Sequence, residues 1–244
     1  MSDTVLTVYR VSKRFGRVQA VNDISFNVKS GEVVGIVGPN GAGKTTTLKM
    51  IVGLIKPDRG RILVYGYDVQ RERVKALSLV GYVPENPVAP PTLRAIDLLY
   101  LIASFRRIPL EVVREDINYY LDVFNLSEAA NKPIASLSRG TLQKLLIVSA
   151  FITRPKLLVM DEPLTGLDPL AQHVFKQEVR KLASKGCAVL ISSHNLQLVE
   201  ELCSRVILIR RGVKIFDGGI EELKNIVGSG KLEEAYLRLI GVKG

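Results

Sequence analysis

Apolar residues along the chain follow two patterns, and each pattern predicts a different kind of strand. From Val5 to Val28, apolar and polar residues alternate, which is typical of antiparallel strands with one buried face. Residues 32–37, 156–160 and 187–191 are continuous apolar runs, which are typical of parallel strands buried on both faces. Because a helical pattern over 170–184 joins the last two runs, the sequence predicts a βαβ unit and an α/β fold.

Further elements are predicted between these runs and after the last of them. The patterns indicate a helix over 44–54, strands over 61–65 and 79–83, and a hairpin of strands over 205–209 and 213–216. A small linker over 228–230 and a short helix over 232–240 follow. From Thr92, a predicted helix N-cap, to Phe151 the periodicity is mostly helical, which predicts a helical insertion of about 60 residues.

Length and composition limit the class of protein. The chain has 244 residues, 47% of them hydrophobic and 24% charged, which is ordinary for one large or two small globular domains. Two cysteines, Cys187 and Cys203, exclude a disulfide scaffold and a four-thiolate zinc site, and both are expected to pack in the core. No apolar stretch approaches the roughly 18 residues of a membrane span, and no secretory signal is visible, so an intracellular protein is expected.

The net charge of +10 admits nucleic acid, anionic lipid or phosphorylated ligands as partners. The basic residues are dispersed, however, and no run of five or more occurs. This dispersal favours a solvated basic surface over a dedicated polyanion site.

The strongest chemical motif is Gly38-Pro-Asn-Gly-Ala-Gly-Lys-Thr45, which matches the phosphate-loop pattern and lies between a predicted buried strand and a predicted helix. Small residues let backbone N–H groups wrap a triphosphate, and the helix N-terminus adds partial positive charge. Lys44 is expected to neutralise the β- and γ-phosphates, and the Thr45 hydroxyl to bind magnesium. The motif therefore predicts a nucleotide site.

Polar side chains follow two other buried strands. Asp161 suits a carboxylate that holds Mg²⁺ through water, and Glu162 beside it could polarise an attacking water. His194 ends the last predicted parallel strand and is expected to contact the γ-phosphate. Because the carboxyl ends of parallel strands meet at one edge of a sheet, these groups and the glycine loop should converge.

With these motifs in place, residues 4–225 resemble the nucleotide-binding subunit of an ATP-binding cassette (ABC) transporter. In this chain, residues 38–45 resemble the Walker A loop of the family and residues 157–163 its Walker B strand with the following Glu. Residues 165–168 resemble the D-loop, and residues 192–194 carry the histidine that resembles the family's switch histidine. The stretch 137–141 resembles the family signature. The resemblance implies the following nucleotide contacts: Phe15 (stacked on adenine), Gly38, Asn40, Gly41, Ala42, Gly43, Lys44, Thr45, Thr46, Ser138, Gly140 and Asp168.

Two departures from the family pattern stand out. The Q-loop position, usually Gln, holds Glu85, which could still approach Mg²⁺ and the attacking water. The resemblance thus implies Thr45, Asp161 and Glu85 as metal ligands, and Lys44, Glu85, Glu162 and His194 as catalytic residues. In the signature, Arg139 replaces a Gly and Thr141 replaces a Gln, which resembles exporters of the drug- and antibiotic-resistance type.

The resemblance also implies a fold and its division along the chain. The expected fold is an α/β P-loop NTPase core of the RecA/F1 type, with an antiparallel β subdomain and an inserted helical subdomain. Residues 1–86 form the first part of the core with the β subdomain, 87–153 the helical signature subdomain, 154–220 the second part of the core, and 221–244 a helical tail.

The function implied is an ATPase with ATP and Mg²⁺ as cofactors, dimerising head to tail around two ATP molecules. It would drive a separate integral-membrane permease from the cytoplasmic face of the plasma membrane, with a second copy as the other ATP-binding subunit and no nucleic acid as a partner. Two alternatives stay open: a soluble ABC-type ATPase that acts on nucleic acid or the ribosome, and a nucleotide-binding module without turnover. Selection of the transported substrate would lie in the permease.

Overall fold

The computed structural model describes residues 3–228 and 232–239. Most of the predicted linker over 228–230 and the last residue of the predicted tail helix, Ile240, lie outside the described residues, as do the first two residues.

Ten strands lie in the described part of the chain, and they form two sheets. They are β1 (Thr4–Phe15), β2 (Val18–Lys29), β3 (Val33–Val37), β4 (Arg59–Val64), β5 (Tyr67–Asp68), β6 (Val80–Val83), β7 (Leu157–Asp161), β8 (Ala188–Ser192), β9 (Arg205–Arg210) and β10 (Val213–Gly219).

The main sheet has the order β10-β9-β3-β8-β7-β6. Strands β9, β3, β8, β7 and β6 run parallel, and β10 closes the sheet as an antiparallel hairpin with β9. The continuous apolar runs of β3, β7 and β8 are buried at every position, as predicted for parallel strands. The carboxyl ends of β3, β8, β7 and β6 therefore lie side by side at one edge.

The second sheet is antiparallel, with the order β2-β1-β4-β5. Strands β1 and β2 form the long hairpin that the alternation over Val5–Val28 predicted, and its register changes at several irregularities. The start of β2 lies beside the glycine loop, because a Cβ at Gly43 would collide with the Ala20 carbonyl.

Nine α-helices are described: α1 (Lys44–Ile51), α2 (Arg73–Ser78), α3 (Ala95–Phe105), α4 (Leu110–Val123), α5 (Arg139–Phe151), α6 (Pro169–Ser184), α7 (Leu196–Leu202), α8 (Ile220–Val227) and α9 (Leu232–Leu239). Helices α3, α4 and α5 lie between β6 and β7, with two short 3₁₀ turns between α4 and α5. The prediction of Thr92 as a helix N-cap was wrong, because α3 begins at Ala95 and is preceded by Arg94. The short helix α2 was not predicted, since it buries only Ala76 and so leaves little periodicity.

The main sheet separates two apolar layers, because successive side chains of each parallel strand point to opposite faces. In β7, Leu158 and Met160 pack with α3–α7, whereas Leu157 and Val159 pack with α1 and the antiparallel sheet. The inserted helices join the first layer through the ring of Phe151, which stacks on Phe175 of α6 with centroids 6.3 Å apart.

Two predictions about the cysteines and the membrane can be compared with this fold. Cys187 and Cys203 are free and buried, as expected of core residues. None of the described helices combines the length and the apolar character that crossing a bilayer requires.

Candidate functional site

The glycine loop runs from the end of β3 to the start of α1. Gly41 and Gly43 have φ angles of +75° and +107°, where a side chain would be strained. A Cβ at Gly38 would collide with the carbonyl of Ile209 on β9. The loop is thus tightly seated against the sheet, and the first backbone N–H groups of α1 face outward without acceptors in their own helix.

Lys44 is the first residue of α1, and its side chain lies under the loop. Its Nζ donates to the carbonyl oxygen of Gly38 at 2.8 Å and approaches that of Pro39 at 3.4 Å. The residue is only 7% exposed, and no carboxylate of the described residues lies within ion-pair distance of it. A buried ammonium without a counter-ion favours an anion in the adjacent cleft.

Asp161 ends β7 and is buried beside β8. Its Oδ1 accepts a hydrogen bond from the Ser192 hydroxyl, directly across the parallel pair. Its Oδ2 is buried and has no hydrogen-bond partner among the described residues. Since a buried carboxylate oxygen without a donor is costly, this atom is suited to a bound cation or its water.

Glu162 follows at the strand end with φ of +47°, a left-handed conformation that is uncommon for a residue with a side chain. Its N–H donates to the carbonyl and to the hydroxyl of Ser192, at 3.1 and 3.2 Å. Its Oε2 lies 2.8 Å from Nδ1 of His194, whose side chain is 70% exposed, and 3.5 Å from the Ser193 hydroxyl. The backbone therefore turns the carboxylate from the sheet toward the histidine.

A cleft of about 570 Å³ lies over the glycine loop. Of the predicted site residues, it is lined by Asn40, Gly41, Ala42, Gly43, Lys44, Thr45, Thr46, Glu85 and Glu162. The structure thus brings the glycine loop, Glu85 after β6 and Glu162 after β7 to one cavity.

Four residues of this lining have no role in the sequence-based prediction: Val18, Gln19, Ala20 and Arg211. The first three begin β2, and Arg211 lies in the turn between β9 and β10. That turn is fixed to the glycine loop by the Gly212 N–H, which donates to the Ala42 carbonyl at 2.9 Å. The sequence predicts the hairpin but carries no signal that its turn abuts the loop.

Seven predicted site residues do not line this cleft: Gly38, Asp161 and His194 near the strand ends, and Phe15, Ser138, Gly140 and Asp168. Phe15 is 48% exposed at the end of β1, where it pairs with Val18. Its ring is therefore accessible beside the cleft, although the Lys13 ammonium lies 5.5 Å from its centroid.

Ser138, Gly140 and Asp168 lie together on a separate surface. Ser138 is the N-cap of α5 and accepts from the Thr141 N–H at 3.1 Å. A Cβ at Gly140 would lie 2.5 Å from the Gly166 carbonyl, so α5 packs against the segment that precedes α6. Asp168, the N-cap of α6, forms a 2.6 Å ion pair with Lys144 of α5. The signature-like and D-loop-like stretches thus form one surface.

Tyr82 of β6 reports the electrostatics behind the cleft. Burial raises its pKa to about 12, and the negative charges of Asp161 and Glu85 add to the shift. Its hydroxyl oxygen is buried without a partner among the described residues. The negative charges of two carboxylates therefore reach this region, which favours a bound cation.

The described residues contain no group of three or more His, Cys, Asp and Glu side chains that could hold a metal by themselves. Mg²⁺ is usually held by one or two protein oxygens, water and substrate phosphates. The unpartnered Oδ2 of Asp161 and the Thr45 hydroxyl at the cleft fit that donor set.

Comparisons with known proteins agree with this geometry. Residues 21–165 match the family model described as ABC transporter. Nod factor export ATP-binding protein I of Ralstonia nicotianae is 34% identical over 222 residues, which cover 91% of this chain and 69% of that protein.

Two solved structures extend the similarity to the fold and confirm the predicted fold class. An ATP-binding subunit of an ABC transporter has a TM-score of 0.93 at 32% identity, covering 97% of this chain and 99% of that one. A dimeric ATP-binding cassette in a post-hydrolysis state, bound to ADP and Pi, has a TM-score of 0.80 at 25% identity, covering 88% of this chain and 98% of that one.

Proposed function

The chain belongs to the ABC transporter family as an ATP-binding, ATP-hydrolysing subunit, and we propose that it works as a homodimer that drives a separate membrane permease in the direction of export. The observation that carries this proposal is the separation of the two halves of its site. The glycine loop, Glu85 and Glu162 line the cleft, whereas Ser138 and Gly140 lie outside it.

In this proposal the triphosphate of ATP lies on the glycine loop. The outward N–H groups at the start of α1 donate to its oxygens, and Lys44 exchanges its bonds to Gly38 and Pro39 for the β- and γ-phosphates. Phe15 stacks on the adenine from the rim of the cleft.

Thr45, Asp161 and Glu85 would hold Mg²⁺, which neutralises charge on the phosphates when it is bound. The unpartnered Oδ2 of Asp161 supports its part in this set. The carboxylate of Glu85 adds negative charge where a Gln is usual in the family.

Glu162 accepts a proton from the attacking water, and His194 orients it. Their 2.8 Å contact supports this division of roles, because the histidine restrains the carboxylate. Among the described residues its one other side-chain partner is the Ser193 hydroxyl, at 3.5 Å. His194 is exposed, so its ring can also reach the γ-phosphate over the open cleft.

A second copy would complete the site. Ser138 and Gly140 lie at the N-terminus of α5, a place where a hydroxyl and backbone N–H groups bind anions. Placed head to tail, this helix end of one copy would face the γ-phosphate in the other. The similarity to a dimeric cassette bound to ADP and Pi supports this arrangement.

The export direction and the permease come from the relatives. A similar protein is named for Nod factor export, and Arg139 and Thr141 give the signature a form that resembles exporters. We therefore place the protein on the cytoplasmic face of the plasma membrane, held there by the permease. The subdomain limits at residues 86, 153 and 220 stay predictions within this proposal.

The test is light scattering on the Glu162→Gln protein with and without MgATP. This change removes the charge of the base but keeps the shape of the side chain, so ATP should bind, hydrolysis should fall by at least about a hundredfold, and the mass should double. The matched control adds Ser138→Asn, which keeps an N-cap on α5 and alters only the surface proposed to face the partner.

The double variant should bind ATP as a monomer. If Glu162→Gln binds MgATP and stays monomeric, the homodimer is refuted. If both variants dimerise equally, the proposed role of Ser138 is refuted.

A further inference from the structure

A second cleft, of about 600 Å³, opens on the antiparallel sheet. It lies between β1, β4, β5 and the loop after α1, and it shares no lining residue with the cleft over the glycine loop. Three cations line it: Lys56, Arg61 and Arg71.

These cations have no carboxylate partner within the described residues, unlike two cations of β1. Lys13 pairs with Asp58 at 2.8 Å and Arg10 pairs with Asp23 at 3.1 Å. Since like charges brought together repel one another, three unpaired cations around one cavity favour an anion between them.

The one carboxylate in the lining, Asp68, is engaged in a turn. Its Oδ1 accepts from the backbone N–H groups of Gln70 and Arg71, at 2.8 and 3.1 Å. It therefore shapes the loop that carries Arg71 and offsets only part of the positive charge.

Two further observations indicate a ligand with hydrogen-bond acceptors. The Nε2 of Gln70 is buried without a partner among the described residues, although Gln70 lines the cleft. The guanidinium of Arg61 lies over the Tyr9 ring, 5.7 Å from its centroid. This stacking limits the freedom of Arg61 and leaves its N–H donors for an acceptor in the cavity.

We propose that this cleft is an anion site that binds a phosphate ester. Guanidinium groups bind phosphate oxygens in pairs, an ammonium adds a point charge, and an amide N–H donates to a remaining oxygen. The phosphate belongs to a soluble molecule or to a lipid headgroup, since the donors recognise the group that the two sources share. The site does not depend on the proposed transport function.

The experiment measures pyrophosphate binding by calorimetry, with saturating MgADP to occupy the glycine loop. Arg61→Glu should weaken binding by about tenfold, and the loss should shrink as salt screens the charges. Arg114→Glu is the matched control, because Arg114 is an exposed residue of α4 and its substitution changes the net charge by the same amount. Gln70→Leu should weaken binding without lowering the melting temperature, since it removes the unpartnered donor.

A second arm uses vesicles of phosphatidylcholine with and without phosphatidic acid. Binding of pyrophosphate that Arg61→Glu weakens supports a soluble phosphate ester, and binding confined to phosphatidic acid vesicles with the same sensitivity supports a lipid headgroup. The proposal is overturned if neither probe binds, or if Arg61→Glu and Arg114→Glu weaken binding equally. Unchanged ATP hydrolysis in both variants shows that each is folded.

Discussion

Ser192→Ala is the most informative single substitution at the strand ends. The residue is fully buried, and its hydroxyl donates to Asp161 and accepts from the Glu162 N–H. It thus joins the two carboxylate residues that the proposed mechanism uses, while making no contact with the cleft itself.

The expected loss of stability depends on which hydrogen-bond partners of the hydroxyl keep another partner after the substitution. The Glu162 N–H keeps an acceptor, the Ser192 carbonyl at 3.1 Å. Asp161 keeps nothing, because its other oxygen already lacks a partner among the described residues. The cost is therefore one hydrogen bond to a buried charge, about 1.5–3 kcal/mol. For a chain of this size that lowers the melting temperature by about 3–12 °C.

Bound cation should offset much of that loss. If Mg²⁺ lies near Asp161, its charge compensates the carboxylate that has lost its donor. The melting temperature of the variant should therefore recover more on addition of MgADP than that of the unchanged protein. Thermal unfolding followed by circular dichroism, with and without MgADP, measures both effects.

Ser149→Ala is the matched control. Ser149 is also buried, but its hydroxyl donates to the Leu146 carbonyl within α5, which the helix already satisfies. Its loss should cost about 0.5–1 kcal/mol, the lower part of the range for a hydrogen bond between neutral groups, because the acceptor keeps another donor. The reasoning fails if Ser192→Ala is no less stable than Ser149→Ala, or if MgADP stabilises the variant and the unchanged protein equally.

Three further predictions address the cleft and the core. Lys44→Ala should weaken ATP binding by at least about tenfold, measured by calorimetry, because it removes the buried cation of the loop; equal affinity would exclude the phosphate-loop role. Arg211→Ala should weaken ATP binding about threefold to fivefold, whereas Arg210→Ala, an exposed neighbour outside the lining, should not; equal effects would exclude a specific contact. Burial raises the pKa of the Cys187 and Cys203 thiols to about 12, from an ordinary value of 9.0. Their contribution to stability is complete below about pH 9 and is lost as the pH rises toward 12, so denaturant midpoints should fall over that range, and less steeply in a Cys187→Ala, Cys203→Ala protein.

The sequence predicted those parts of the fold that repeat a local pattern. Buried parallel strands such as β7 are continuous apolar runs, and the glycine loop has a fixed spacing before a helix, so both could be located from residues alone. The position of Glu162 at the cleft over the loop also followed, because parallel strands end at the same edge.

Contacts between distant segments could not be predicted in this way. Arg211 reaches the cleft because a backbone bond joins its turn to Ala42, and Ser192 reaches Asp161 because β8 and β7 are neighbours in the sheet. Neither relation leaves a period or a motif. The short helix α2 and the start of α3 were missed for a similar reason, since tertiary contacts outweigh weak local preferences there.

The alternation of side chains along the central strands has a consequence for how the molecule comes apart. Leu158 and Met160 belong to one apolar layer, and Leu157 and Val159 belong to the other. The same five-residue strand therefore contributes side chains to both layers. Unfolding of either layer would remove packing contacts from strands whose other face belongs to the second layer. The antiparallel sheet and the inserted helices are therefore coupled into one cooperative unit of unfolding. A nucleotide bound at the edge of the main sheet would slow the exchange of amide hydrogens in both the antiparallel sheet and the inserted helices.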